Sequence, residues 1–330
     1  MSEIHDTVQK LVVFPKGILA ADESMKTIEK RFTALLVENT QENRRAYREL
    51  LFTTPDIENH ISGVILFDET IKDTASDGKP MVDLLTSRGI VPGVKVDEGT
   101  EALNETSEEK VTKGLEGLPE RLKAYYDMGA RFTKWRAVIT IGAGIPTDAC
   151  IDENVKRLSL YAKLSQEANM VPIVEPETVM DGDHDMGACR QATYRTLKKL
   201  FIQLSADKVD LAGLLLKINM ILPGKDSGMH VADGEVAETT VSVLTQTVPE
   251  ETGGVVFLSG GQTPEEASQR LAMITKHETP WPMTFSFSRA LQDPVMKAWA
   301  ANRQDVQGAQ SIFLDVAKRN STALRDPNHE

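Results

Sequence analysis

Cysteine is nearly absent: Cys150 and Cys189 are the only two in 330 residues. They lie too far apart for a CxxC pair or a Cys/His zinc spacing, so a disulfide-stapled secreted scaffold is excluded and a reducing compartment expected. Long apolar runs are missing as well, and none approaches the roughly 20 residues needed to span a bilayer. The opening segment from Met1 to Lys10 is polar and lacks the apolar stretch of a secretory signal. Positive charge is in deficit, with 37 Lys and Arg against 49 Asp and Glu and a net charge of −12. That balance excludes a general affinity for nucleic acid or anionic membrane. It leaves room for an anionic substrate, because a basic pocket can sit inside an acidic envelope. Aromatic residues make up only 5%; Trp135, Trp281 and Trp299 read as packing residues, since nothing aligns them as a stacking platform. His5, His60, His230, His277 and His329 are scattered, with no HxxxH or triad pattern. A cytoplasmic protein is expected.

What is present is a rhythm. Short apolar or β-branched runs recur at Gly17–Asp22, Ser62–Phe67, Gly93–Asp97, Phe132–Ile139, Val171–Glu175, Gly213–Ile218, Gly254–Ser259 and Met283–Phe287. Their spacing leaves room for a crossover helix between successive pairs. Ala237, Val241, Leu244 and Val248 keep a helical period that Pro249 stops. Ala267, Leu271 and Ile274 make a second stripe behind Thr263 as cap and Pro264 at the first helical position; Leu197, Phe201 and Leu204 make a third. Helices are also expected at Thr27–Val37 and Gln41–Phe52. Eight strands alternating with helices, with no Pro-, Gly- or Ser-rich linker, predict a (β/α)8 barrel in a single domain over 1–330. The barrel occupies about 12–300, and a helix with a polar, mobile end (Arg325 to Glu330) fills about 301–330. A doubly wound sheet of two domains is the competing fold, and it needs a mid-chain break in composition that is not there.

Gly213-Leu-Leu-Leu-Lys217 carries the chemical hint. A run this short and apolar reads as a strand buried on both faces, yet it ends in lysine. Lost hydration disfavours an ammonium, and a neutral amine attacks carbonyl carbon. The bland reading is a structural lysine paired with a carboxylate. In a barrel, chemistry belongs where strands end, and most runs here end in charge: Asp22-Glu23-Ser24, Lys95-Val-Asp97, Lys134-Trp-Arg136, Glu175-Pro-Glu177, Ser259-Gly260-Gly261 and Ser288-Arg289. Strand alternation puts Lys134 and Arg136 on one face, and likewise Glu175 and Glu177 if the strand continues through Pro176. Each piece has an ordinary use too: Lys134 pairing with Glu175, Arg136 as a tie, Asp22-Glu23-Ser24 as a helix cap, Ser-Gly-Gly as a tight turn. Together they fit amine chemistry on an anionic substrate. Asp181-Gly-Asp-His-Asp185 reads either as a divalent metal site or as turns with an Asp cap.

These segments resemble the class I, Schiff-base fructose-1,6-bisphosphate aldolases. The likeness runs through Lys16-Gly-Ile-Leu-Ala-Ala-Asp-Glu-Ser24, Glu38-Asn-Thr-Gln-Glu-Asn-Arg-Arg45, Ser62-Gly-Val-Ile-Leu-Phe67, Lys134-Trp-Arg136 and Val171-Pro-Ile-Val-Glu-Pro-Glu177. It continues in Asp181-Gly-Asp-His-Asp185, Leu214-Leu-Leu-Lys217, Phe257-Leu-Ser-Gly-Gly-Gln262 and Ser288-Arg-Ala-Leu-Gln292. The resemblance implies a (β/α)8 barrel, a homotetramer, no metal, no cofactor and a phosphorylated ketose as substrate. It implies Lys217 as Schiff-base lysine, Glu175 as the acid of carbinolamine dehydration, and Asp22 as acceptor of the C4 hydroxyl proton. Lys134 becomes a neighbouring charge and Glu177 an orienting carboxylate. Arg136 becomes a substrate contact. Ser259, Gly260 and Arg289 match the C1-phosphate grip, and Lys95, Ser24, Lys30 and Arg31 the C6-phosphate surroundings. The chain departs from the pattern at Ile218 (often proline), Ser288 (often glycine) and Met25-Lys26 (a Thr-Gly pair). It also lacks the terminal tyrosine that assists enamine proton exchange; its last tyrosine is Tyr194, so another group or water is expected to serve. Rival readings are an aldolase acting on a monophosphate ketose, a scaffold that kept the fold, and a metal-dependent lyase or phosphatase.

Overall fold

A computed structural model describes residues 2–105 and 107–324; the expected mobile end, Arg325 to Glu330, lies outside the described residues. The barrel strands are β1 (Gly17–Ala21), β2 (Ile61–Leu66) and β3 (Val91–Lys95). After a small antiparallel hairpin, β4 (Thr100–Ala102) and β5 (Lys110–Thr112), come β6 (Phe132–Ile139), β7 (Val171–Thr178), β8 (Leu215–Ile218), β9 (Gly254–Phe257) and β10 (Met283–Phe287). Eight parallel strands close in the order β1-β10-β9-β8-β7-β6-β3-β2, which rules out the doubly wound sheet. The fold is a (β/α)8 barrel.

Alternation along each strand builds two apolar layers. Inward residues Ile18, Ile65, Val91, Phe132, Ile173, Leu215 and Val256 fill the tube, joined from below by Val8 and Leu11 of the Glu3–Leu11 helix. Outward residues such as Leu19, Val64, Trp135, Val174, Leu216 and Phe257 pack against the surrounding helices. The strands are therefore apolar on both sides, as strands sandwiched between a filled lumen and a helical ring must be. The tryptophans serve packing: Trp135 stacks on Tyr161, Trp299 meets Phe32 and Tyr47, and Trp281 Nε1 donates to the Pro249 carbonyl.

Several boundaries differ from the sequence expectation for physical reasons. β7 continues through Pro176 to Thr178, so Glu175 and Glu177 do share a face. β8 begins at Leu215 rather than Gly213, because Leu211–Gly213 form a 3-10 turn whose start is capped by the Asp210 side chain. The helix expected at Thr27–Val37 is Met25–Ala34; Leu36 then adopts a left-handed φ of 57°, which a helix interior does not accept. The Pro264–Ile274 helix starts on a full capping box between Thr263 and Glu266.

Candidate active site

Following the inward-facing positions upward, two residues at a time, the lining changes from apolar to charged. Phe132 is succeeded by Lys134 and Arg136, Ile173 by Glu175 and Glu177, Leu215 by Lys217, and Ala20 by Asp22. Above the apolar layer opens a cavity of about 1470 Å³ at the carboxyl ends of the strands. Its wall includes every residue that the resemblance assigns to catalysis or substrate contact: Asp22, Ser24, Lys30, Arg31, Lys95, Lys134, Arg136, Glu175, Glu177, Lys217, Ser259, Gly260 and Arg289.

At the bottom lie two lysines and two carboxylates, all buried. Lys134 Nζ is 2.6 Å from Asp22 Oδ2 and 3.2 Å from Glu175 Oε2. Lys217 Nζ is 3.3 Å from Glu175 Oε1. Glu175 Oε2 is nevertheless buried without a hydrogen-bond partner, so the contact with Lys134 is one of charge and the acceptor stays free for a ligand. Burial works against ionisation of Asp22, but Lys134 and Lys217 outweigh it and hold its carboxyl at about 2. Glu175 is held low by the same contest between burial and its cationic neighbours. Lys134 is opposed by burial, yet Asp22 and Glu175 push it above the ordinary lysine value, so it stays an ammonium.

Toward the mouth, the carboxylate of Glu177 binds Arg136 and touches neither lysine. The carboxylates beside the lysines are Glu175 and Asp22, not Glu177 as the expected orienting role requires. The Glu177 carboxylate raises the guanidinium above its usual value, so Arg136 is a permanent cation. Lys95 is bridged to Asp97, whose other oxygen accepts from the Arg136 amide at 3.2 Å. Arg31 points into an ion-paired cluster with Glu23 and Asp293. Lys30 and Arg289, by contrast, make no hydrogen bond or ion pair with any described residue and line the mouth as available cations. Between Ser259 and the Thr263 cap, Gly260 and Gly261 take φ of 51° and 84°, a turn that side-chain-bearing residues rarely adopt. The Arg289 guanidinium reaches over this turn, so a Cβ on Gly261 would lie 3.7 Å from it.

Asp181–Asp185 is occupied with structure: Asp181 pairs with Lys225, and Asp185 caps the Met186–Ala206 helix through Ala188 N at 2.7 Å. Among the described residues, no group of three or more His, Cys, Asp or Glu side chains is arranged to hold a metal ion. No helix among them is long and apolar enough to cross a membrane.

Two residues escaped the sequence reading. Ser286 lines the cavity from β10 with a buried hydroxyl that has no partner among the described residues. Its signal was the alternation Thr284, Ser286, Ser288 against Phe285, Phe287, which sets small polar groups on the lumen side of an otherwise aromatic strand. Glu23 was read only as part of a cap, whereas its carboxylate binds both Arg31 and Arg48.

A family model for class I fructose-bisphosphate aldolase matches residues 3–328. A protein of Xanthomonas campestris pv. campestris named probable fructose-bisphosphate aldolase class 1 is 47% identical over 328 residues, covering 98% of this chain and 97% of that one. Fructose-bisphosphate aldolase 4, cytosolic, of Arabidopsis thaliana is 50% identical over 310 residues, 93% of this chain and 79% of that one. Among solved structures, the fructose-bisphosphate aldolase of Plasmodium falciparum, crystallised with TRAP and a small-molecule inhibitor, superposes with a TM-score of 0.95 at 46% identity. That match covers 98% of this chain and 94% of the other. A charged, lysine-floored barrel mouth and near full-length likeness lead to one conclusion: the chain belongs to the class I fructose-bisphosphate aldolase family and is a lyase.

Proposed function

We propose that the chain reversibly cleaves fructose-1,6-bisphosphate to dihydroxyacetone phosphate and glyceraldehyde-3-phosphate through a Schiff base on Lys217, as a cytoplasmic, homotetrameric enzyme of sugar breakdown and synthesis. The observation that carries this reading is the placement of Glu175 between two buried lysines, 3.2 Å from Lys134 Nζ and 3.3 Å from Lys217 Nζ. Glu175 is positioned to take the Lys217 proton, freeing the amine to add to the C2 ketone. It then returns a proton to the carbinolamine hydroxyl, which leaves as water and creates the iminium. Asp22 accepts the C4 hydroxyl proton while the C3–C4 bond breaks. The bonding pair moves into the iminium, giving an enamine and releasing the aldehyde. Protonation at C3 and hydrolysis then free dihydroxyacetone phosphate and regenerate the amine.

Lys134 supports these steps as a fixed positive charge beside both carboxylates. Glu177 holds Arg136, which faces the sugar. Ser259, Gly260 and Arg289 take the C1 phosphate; Ser24, Lys30, Arg31 and Lys95 form the surroundings of the C6 phosphate. Unpaired Arg289 suits a bidentate phosphate contact. Borohydride reduction in the presence of dihydroxyacetone phosphate, followed by peptide mapping, tests the proposal. Label on Lys217 is the expected result, and an unlabelled Lys217 ends it. Light scattering of the purified enzyme checks the tetramer.

A further inference from the structure

The seam where the barrel closes carries a cluster that the proposed chemistry leaves unused. β1 and β10 are parallel neighbours there, with Leu19 opposite Phe287. Just beyond the two strands stand Glu23 and Ser288. Glu23 is only 7% exposed, and its carboxylate is crowded with donors. Oε1 accepts from Arg31, from Gln292 Nε2 at 2.8 Å and from Ser288 Oγ at 3.1 Å, while Oε2 accepts from Arg48. Gln292 Nε2 also reaches Ser288 Oγ at 3.2 Å and the Ala20 carbonyl at 2.7 Å. Burial opposes ionisation of Glu23, but Arg48 and Arg31 prevail, so the hub is a carboxylate.

The hub sits between two pairs of chain neighbours. On one side Glu23 is followed by Ser24 and the Met25–Ala34 helix, bearing Lys30 and Arg31. On the other, Ser288 is followed by Arg289, first residue of the Arg289–Ala301 helix. Ser288 stands at the start of that helix, yet its hydroxyl makes no capping bond and serves Glu23 instead. The helix body has its own ties across the seam, through Gln292 to Ala20 and Asp293 to Arg31. The turn carrying Arg289 has the Ser288 hydroxyl. A glycine in its place could not make that bond.

We infer that Ser288 is a positioning residue: bonded to Glu23 across the seam, its hydroxyl fixes Arg289 relative to the Ser24–Lys30–Arg31 cluster, and thereby favours a ketose phosphorylated at both ends. The inference rests on the assignment of the two phosphate clusters above. A hydroxyl bonded to a buried carboxylate is stronger than a neutral pair, and a phosphate bound by fixed donors loses affinity when one of them drifts.

The test compares Ser288→Ala, Ser288→Gly and Ser288→Thr with the wild type on fructose-1,6-bisphosphate and fructose-1-phosphate. The Ala and Gly variants should raise the bisphosphate KM about three- to tenfold with kcat within about twofold, as loss of one charge-assisted hydrogen bond acting at a distance predicts. The monophosphate KM should move less, and Ser288→Thr, which keeps the hydroxyl, should resemble wild type. Unchanged bisphosphate KM in the Ala and Gly variants, equal shifts on both substrates, or a Thr variant behaving like Ala would each overturn the inference. Circular dichroism of each variant identifies any that misfold, and the remaining ones decide. Borohydride trapping of the wild type separates the two failures: a labelled wild type with indifferent variants defeats only the role of Ser288, whereas an unlabelled wild type defeats the reading beneath it.

Discussion

Lys134 and Lys217 share one carboxylate: Glu175 lies 3.2 Å from Lys134 Nζ through Oε2 and 3.3 Å from Lys217 Nζ through Oε1. One buried acid thus stands between two lysines, of which Lys134 is held as an ammonium, while the proposed reaction uses Lys217 as the nucleophile. Glu175→Gln keeps the shape and removes the proton exchange. Its cleavage rate should fall by about 10²–10⁴-fold, the range for a general acid–base group. Single-turnover kinetics with borohydride quench should show iminium formation slowed with it; normal iminium formation would take this role from Glu175.

Lys134→Met leaves Asp22 and Glu175 buried with less positive charge around them. Removing one partner of a buried ion pair costs about 3–5 kcal/mol, readable as a lower urea midpoint at pH 7. The Asp22 carboxyl, near 2 in the folded chain against an ordinary value of 3.8, is depressed by folding. Its stabilisation is therefore complete above pH 3.8 and fades as pH falls toward 2. The variant should show a weaker loss of stability than wild type across that acid window.

Lys95→Ala and Arg289→Ala should separate the two phosphate ends. The first should raise KM for the bisphosphate roughly tenfold or more, in line with a hydrogen bond to a charged group, and spare fructose-1-phosphate. The second should impair both substrates. Wild-type rates equal on mono- and bisphosphate would remove Lys95 from substrate contact.

Thr263→Ala breaks the reciprocal bond between Thr263 and Glu266 and should cost about 1 kcal/mol of stability, the usual worth of an N-cap. Because the capped helix follows directly on Ser259-Gly260-Gly261, KM should rise modestly while the Schiff base still forms.

Dialysis against EDTA should leave cleavage unchanged, since Asp181 and Asp185 are engaged by Lys225 and by the Ala188 amide. Loss of activity reversed by a divalent ion would revive the metal-dependent alternative.

The sequence disclosed most of this because barrel strands alternate with a strict period of two. Lys134 and Arg136, or Glu175 and Glu177, are bound to face the lumen once Phe132 and Ile173 do. Partners across the barrel obey no such period. That Glu177 would hold Arg136, or that Arg31 and Arg48 would converge on Glu23, depends on neighbouring strands and helices far apart in the chain, which spacing cannot reveal. The Leu211–Gly213 turn was hidden for a local reason: the Gly213 and Leu214 amides donate to the Asp210 and Leu211 carbonyls within the turn rather than to a neighbouring strand.

The helix Glu3–Leu11 stoppers the foot of the tube with Val8 and Leu11, which imposes an itinerary on the reactants. With Lys217 at the bottom and the mouth above it, the proposed Schiff base would hold the ketose fragment beneath its aldehyde partner. On that reading the aldehyde is expected to depart first in cleavage, and in condensation the ketose to load before the aldehyde. Product inhibition should reflect this, with dihydroxyacetone phosphate competitive against the bisphosphate and glyceraldehyde-3-phosphate noncompetitive. An apolar floor of strand and helix side chains, remote from every bond being broken, would on that reading set which fragment leaves first.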